Sequence, residues 1–260
     1  MKYQYSYLIR IQFLGFRFHG WQKQPGLKTI HDSVDKTLSF VFKHTNFKTI
    51  GAGRLDAMVS AQNYPLQLFC NEKIEDAAFI ISFNKNCPND FKCLNIEPCS
   101  LDFAIINAPK IKTYHYYFAI NEKLHPYAAP FMSNFNNIAD LDAMKNAATL
   151  FEGTHHFKKY CCQPTKNTIL EREITTCHIS ENTYLTGSFF PKQSYVLVVE
   201  GAGFLRYQIR YMMAVLAKIG EREISITEFK HSIAKNNDGK QWNFIAPQSG
   251  LHLFDVEFIA

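Results

Sequence analysis

Two alternating apolar runs, each followed by a helical stripe, constrain the fold of this chain most. Tyr7, Ile9, Ile11 and Phe13 share one face of a period-two pattern, so Ser6 to Phe13 reads as a strand. Ile30, Val34, Leu38, Val41 and Phe42 then recur at helical spacing, and Thr29 with Asp32 has the spacing of a cap, which predicts a helix over 30–43. The pattern returns later. Tyr114, Tyr116, Phe118 and Ile120 alternate, and Leu141, Met144, Ala148 and Phe151 form a helical stripe stopped near Gly153.

The remaining segments fit the same scheme. A short helix is expected near Asp76 to Phe83, and Tyr195 to Glu200 reads as a strand. Leu205, Ile209, Met212, Leu216 and Ile219 outline a long helix ending at Gly220, Ser225 and Glu228 cap a short one, and Leu251 to Ile259 supplies a last strand. Each half mixes strands with two helices in a comparable order. The expected class is α+β, with two ferredoxin-like (RRM-like) halves, 1–109 and 110–260, sharing one mostly antiparallel sheet with helices packed on it. No residue-level repeat links the halves, and no Gly/Ser/Pro-rich linker divides them.

Composition bounds the function without naming it. Of 260 residues, 47% are hydrophobic and 20% charged, ordinary for a globular chain with a real core. Lys and Arg outnumber Asp and Glu by 28 to 23, a mild excess that suits an anionic partner. No apolar run is long enough for a membrane span, and no signal-like segment opens the chain, so a cytoplasmic protein is expected. The seven cysteines are odd in number and include the adjacent Cys161 and Cys162, which fits a reducing compartment. Cys87, Cys93 and Cys99 form no Cys-x-x-Cys pair, and His155, His156, Cys161 and Cys162 are too closely paired for a tetrahedral site, so no metal is expected.

Four stretches carry the candidate chemistry: Phe18 to Gln24, Gly53 to Ala61, Lys112 to Tyr116, and Gly203 to Arg210. Asp56 leads them, because it is a carboxylate on a Gly-led turn between the β-prone Phe47 to Ile50 and the alternating Gln62 to Phe69. Together the four stretches resemble the tRNA pseudouridine synthase A family. Its signature Gly-Arg-Thr-Asp-Ala-Gly-Val-His-Ala is matched at Gly53, Arg54, Asp56, Ala57, Val59 and Ala61. Asn84, Pro88 and Asp90 fit its Asn-x-x-x-Pro-x-Asp element, and Gly250, Leu251 and Leu253 agree near the C-terminus.

The resemblance implies a pseudouridine synthase fold and an enzyme that isomerises uridine to pseudouridine. It implies no cofactor or metal, a homodimer, and tRNA as partner, at uridines 38 to 40 of the anticodon stem-loop. By the same correspondence Asp56 is the nucleophile, Tyr114 stacks on the extruded uracil, Arg210 pairs with the nucleophile, and Arg54 supports base flipping. Trp21, Gln22, Lys23 and Gln24 lie on the loop expected to face RNA. Arg206 and Arg210, four apart on the predicted helix, would repel, so each needs its own anion; Arg206 is assigned to phosphate.

Departures are also present. Leu55 replaces Thr, Met58 replaces Gly, Ser60 replaces His, and an arginine of the family is absent where Ile106 stands. They leave two alternatives within the family, an RNA-binding paralogue without turnover and a synthase with another RNA target. A third reading, distant from these, is a metal-dependent hydrolase using His155, His156 and the cysteines.

Overall fold

The computed structural model describes residues 3–237 and 239–259. The protein is α+β and forms two compact units, Met1–Lys110 with Leu253–Ala260, and Ile111–His252. The C-terminal residues from Leu253 therefore group with the first unit rather than the second half of the chain.

In the first unit the order is β1 (Tyr5–Phe13), α1 (Ile30–Phe42), β2 (Lys48–Gly51), β3 (Ser60–Cys70), α2 (Asp76–Asn86) and β4 (Phe91–Cys99). Strands run β4-β1-β3, with β2 also on β3, which is the βαββαβ arrangement of a ferredoxin-like unit. Antiparallel pairing sets Ile9 opposite Leu66 and Ile96, and Ile11 opposite Tyr64, so the alternation read from the sequence becomes one buried face. Val34 and Leu38 of α1 and Phe79 and Phe83 of α2 are buried as well.

Thr29 is the N-cap residue of α1, but its side chain makes no capping bond, contrary to the expected cap. The first amides are satisfied from the preceding loop instead: Ile30 N donates to Gly20 O at 3.0 Å and His31 N to Trp21 O at 3.0 Å. The loop is thus fastened to the helix it precedes.

The second unit contains β5 (Lys110–Ile120), β6 (Ser133–Phe135), α3 (Leu141–Thr149), β7 (Gly153–His156), a 3-10 turn (Lys158–Tyr160), β8 (Glu171–Ile174), β9 (Thr176–Glu181), β10 (Tyr195–Gly201), α4 (Gln208–Gly220) and α5 (Ile226–Ser232). The final strand of the chain is β11 (Leu251–Phe258). Strands β5, β10 and β9 lie in that order and pair antiparallel, β6 joins β5 in parallel, and β7 and β8 form a separate hairpin. Helix α3 stops at Thr149, before Gly153, which takes φ 97° as it opens β7. The capping box on α5 is formed as expected, with Ser225 and Glu228 each bonding the other's backbone.

One buried polar group in this unit has a consequence for stability. His252 is fully buried, its Nε2 lies 2.8 Å from Phe131 O, and its ring meets Tyr117 edge-on at 5.1 Å. Burial pulls its pKa down to about 4, and burial likewise takes His115 to about 4, helped by the nearby His252 and His178. An imidazole of ordinary pKa near 6.5 in the unfolded chain takes up a proton that the folded chain refuses, so stability is full above about pH 6.5 and falls as pH drops toward 4. His252 alone contributes a loss of about 3 kcal/mol by pH 4. Urea unfolding across that range should show the decline, and His252→Leu should flatten it. An unchanged slope in the variant would assign the acid sensitivity elsewhere.

Candidate active site

The turn carrying Asp56 is fastened to the preceding loop by backbone hydrogen bonds. Trp21 N donates to Leu55 O at 3.0 Å, Met58 N donates to Phe18 O at 3.0 Å, and Val59 N closes the turn on Asp56 O at 3.3 Å. Ser60 Oγ accepts from Gly15 N at 3.0 Å, and the Tyr64 hydroxyl donates to Gly53 O. Two glycines permit this closeness. A Cβ on Gly15 would sit 2.0 Å from Val59 O, and one on Gly20, whose φ is 86°, would sit 2.7 Å from Leu55 O. Residues 15–21 therefore form a cradle for the Asp56 turn, and Gly15 and Tyr64 are parts of it that motif reading did not select.

Trp21 serves this cradle rather than an exposed face. Its indole is 5% exposed and stacks on Tyr64 at 4.2 Å and on His31 at 5.0 Å. On the loop expected to face RNA, Trp21 is thus the buried member: the three aromatic rings pack together and exclude water. Gln22, Lys23 and Gln24 are exposed, with Lys23 paired to Asp35 and Gln24 Nε2 donating to His19 O at 3.2 Å. Arg54 is exposed, and Asp56 is half-buried.

Met58 occupies the family's glycine position with φ 64°. A left-handed backbone costs a side-chain-bearing residue about 1 to 2 kcal/mol, part of which glycine returns through its greater freedom when unfolded. Met58→Gly should therefore raise stability by about 0.5 to 1 kcal/mol, read as a shift of the urea midpoint at constant slope. A lower midpoint would show that the contacts of the methionine side chain outweigh the strain.

In the second unit Tyr114 is 8% exposed on β5, opposite Val199 of β10, and its ring meets Phe204 edge-on at 5.3 Å. Arg210 is buried on α4, where its Nε donates to Ala246 O at 2.8 Å. Arg206 is exposed, and its Nη1 donates to Gln163 Oε1 at 3.1 Å. It does not share a helix with Arg210: α4 begins at Gln208, after Tyr207 in a left-handed conformation with φ 66°. The expected repulsion between the two arginines across one helical turn accordingly has no basis, since Arg206 lies on the preceding loop. Leu205 remains buried, so the apolar stripe continues past the start of the helix and disguises where it begins.

Among the described residues no group of three or more His, Cys, Asp or Glu side chains is placed to hold a metal, and no helix is long and apolar enough to cross a membrane.

Comparison with known proteins defines the class of the chain. The family model described as tRNA pseudouridine synthase matches residues 147–259, a span that includes Arg206 and Arg210. Whole-chain relatives extend the match across Asp56 and Tyr114. The tRNA pseudouridine synthase A of Mesoplasma florum is 30% identical over 260 residues, covering 98% of this chain and 99% of its own. The tRNA pseudouridine synthase A 1 of Protochlamydia amoebophila is 27% identical over 252 residues, covering 97% and 96%. That of Dictyoglomus thermophilum is 25% identical over 256 residues, covering 97% and 99%. A chain matched end to end by such enzymes is a pseudouridine synthase, an isomerase acting on RNA. Specifically, it belongs to the tRNA pseudouridine synthase A family.

Proposed function

We infer that this protein converts uridine to pseudouridine in tRNA, at uridines 38 to 40 of the anticodon stem-loop, with Asp56 as the nucleophile. The observation that carries the reading is the full-length likeness to tRNA pseudouridine synthase A enzymes together with the clamped turn that presents Asp56. The reaction breaks the bond from C1′ to N1 and makes one from C1′ to C5, while the C5 proton is lost and N1 gains one. The net change is an isomerisation, so electrons balance within the substrate and neither redox partner nor activated co-substrate is required. A carboxylate suits it because it can add to the sugar or to the base and later leave.

Each remaining residue takes a role that its chemistry supports. Tyr114 stacks on the extruded uracil, and its hydroxyl takes part in moving the C5 proton. Arg210 keeps Asp56 ionised, since an opposite charge offsets the tendency of a water-poor pocket to protonate a carboxylate. Arg54, exposed beside the turn, occupies the gap left by the flipped base and contacts phosphate. Arg206, Lys23, Gln22 and Gln24 hold the RNA backbone, so binding is salt-dependent. The enzyme acts as a homodimer in the cytoplasm. Asp56→Asn in a turnover assay on an anticodon stem-loop RNA tests this reading.

The exposed Ile106, 63% accessible where the family has an arginine, favours one variation of it. The missing donor weakens one path of RNA approach and leaves Asp56 untouched, which points to a narrowed or shifted set of RNA targets rather than to a loss of chemistry.

A further inference from the structure

Tyr207 stands out in the second unit as a residue of the Gly203 to Arg210 stretch to which no role has been given. It precedes α4 with φ 66°, a conformation that a tyrosine adopts only where its surroundings enforce it. Its ring lies 5.0 Å from the Arg206 Cζ and 4.9 Å from the Arg210 Cζ, so one aromatic ring serves two guanidinium groups. The Arg206 Nη2 also donates to the Tyr207 hydroxyl at 3.4 Å. Arg206 also donates to Gln163 Oε1, and Arg210 to Ala246 O. Tyr207 O accepts from Tyr211 N at 3.0 Å, which ties this twisted residue to the first turn of the helix carrying Arg210.

We propose that Tyr207 is a positioning residue for pseudouridine formation: its ring orients the guanidinium of Arg210 for the reacting centre and that of Arg206 for RNA phosphate. The proposal rests on the roles given above to those two arginines. A left-handed backbone at this point brings the ring back over residues on both sides of it in sequence, which a regular helical residue could not do for a neighbour one position before it and another three positions after. The strain of the backbone is offset by the two cation contacts it makes possible. Glycine would relieve the backbone and lose the platform, whereas phenylalanine would keep the platform and lose only the hydroxyl.

Single-turnover pseudouridine formation on an unmodified anticodon stem-loop transcript separates these contributions, measured on the full-length protein beside RNA affinity at several salt concentrations. Tyr207→Phe should stay within about twofold of wild type, because the face of the ring is retained. Tyr207→Gly and Tyr207→Leu should lose about tenfold or more in the rate at saturating RNA, and the slope of log affinity against log salt should fall by up to about 0.7 to 0.9 as the Arg206 contact loosens. A purely structural role would instead leave the thermally intact Tyr207→Gly protein at the wild-type rate and slope, and that result overturns the proposal. Arg210→Lys in the same assay keeps two failures apart. If it is slow while folded Tyr207→Gly and Tyr207→Leu are normal, only the role of Tyr207 falls; if Arg210→Lys is itself normal, the reading on which the proposal stands falls with it.

Discussion

Replacing Asp56 with Asn should remove pseudouridine formation, with the single-turnover rate falling by roughly three orders of magnitude or more, while RNA affinity stays within a few-fold. Asparagine keeps the size of the side chain and loses its nucleophilic charge. The main-chain bonds of Trp21 N to Leu55 O and of Met58 N to Phe18 O, with the Gly15 N to Ser60 Oγ bond, are retained in this variant. Thermal denaturation provides the check: an Asp56→Asn protein with a wild-type melting profile and no turnover assigns the loss to chemistry. Residual turnover near wild type would falsify the assignment of Asp56 as nucleophile.

Arg210→Lys should be nearly as severe, lowering the rate by about two orders of magnitude. Charge is conserved in this change, but geometry is not. Arginine donates through Nε to Ala246 O at 2.8 Å while its guanidinium carbon stands 4.9 Å from the Tyr207 ring, and lysine cannot hold the backbone carbonyl and present a planar fork at once. Arg210 is also only 5% exposed, so a poorly fitted ammonium at this position is costly. The lost hydrogen bond to Ala246 O alone should lower stability by about 1 to 3 kcal/mol, visible in denaturant unfolding. A folded lysine variant with a wild-type rate would move the role of cationic partner to another residue.

Much of the fold was legible because strand alternation and helical periodicity are direct imprints of burial. The run from Tyr7 to Phe13 became β1, the stripe from Ile30 to Phe42 became α1, and the Tyr114 run became β5. Helix ends were less legible, because they depend on backbone conformation that apolar spacing does not encode. Leu205 continues the stripe of α4 without belonging to the helix, and Thr29 stands at the N-cap of α1 while carbonyls of Gly20 and Trp21 satisfy its first amides. The short β7–β8 hairpin, only four residues per strand, left too brief a pattern to be read.

The candidate site divides in the same way. Asp56 and its turn were visible as a motif, and within it Met58, standing where the family has glycine, takes φ 64°. The cradle of Gly15 and Gly20 was not visible, since close backbone approach arises only when distant segments meet. The packing of Trp21 was not visible for a related reason: the rings of Tyr64 and His31 that stack on it come from other elements of the fold. Tyr207 lies within a motif stretch, but its left-handed backbone and the two guanidinium groups beside its ring were not legible from residue type.

The most direct measurement is to incubate the purified protein with unmodified tRNA transcripts, without added cofactor or metal, and to map pseudouridine at single-nucleotide resolution. Pseudouridine appearing at uridines 38 to 40 with the wild-type protein and absent with Asp56→Asn is the predicted result. Binding of the same transcripts with no pseudouridine formed in any of them would contradict it, and would make this chain an RNA-binding member of the family rather than a working synthase.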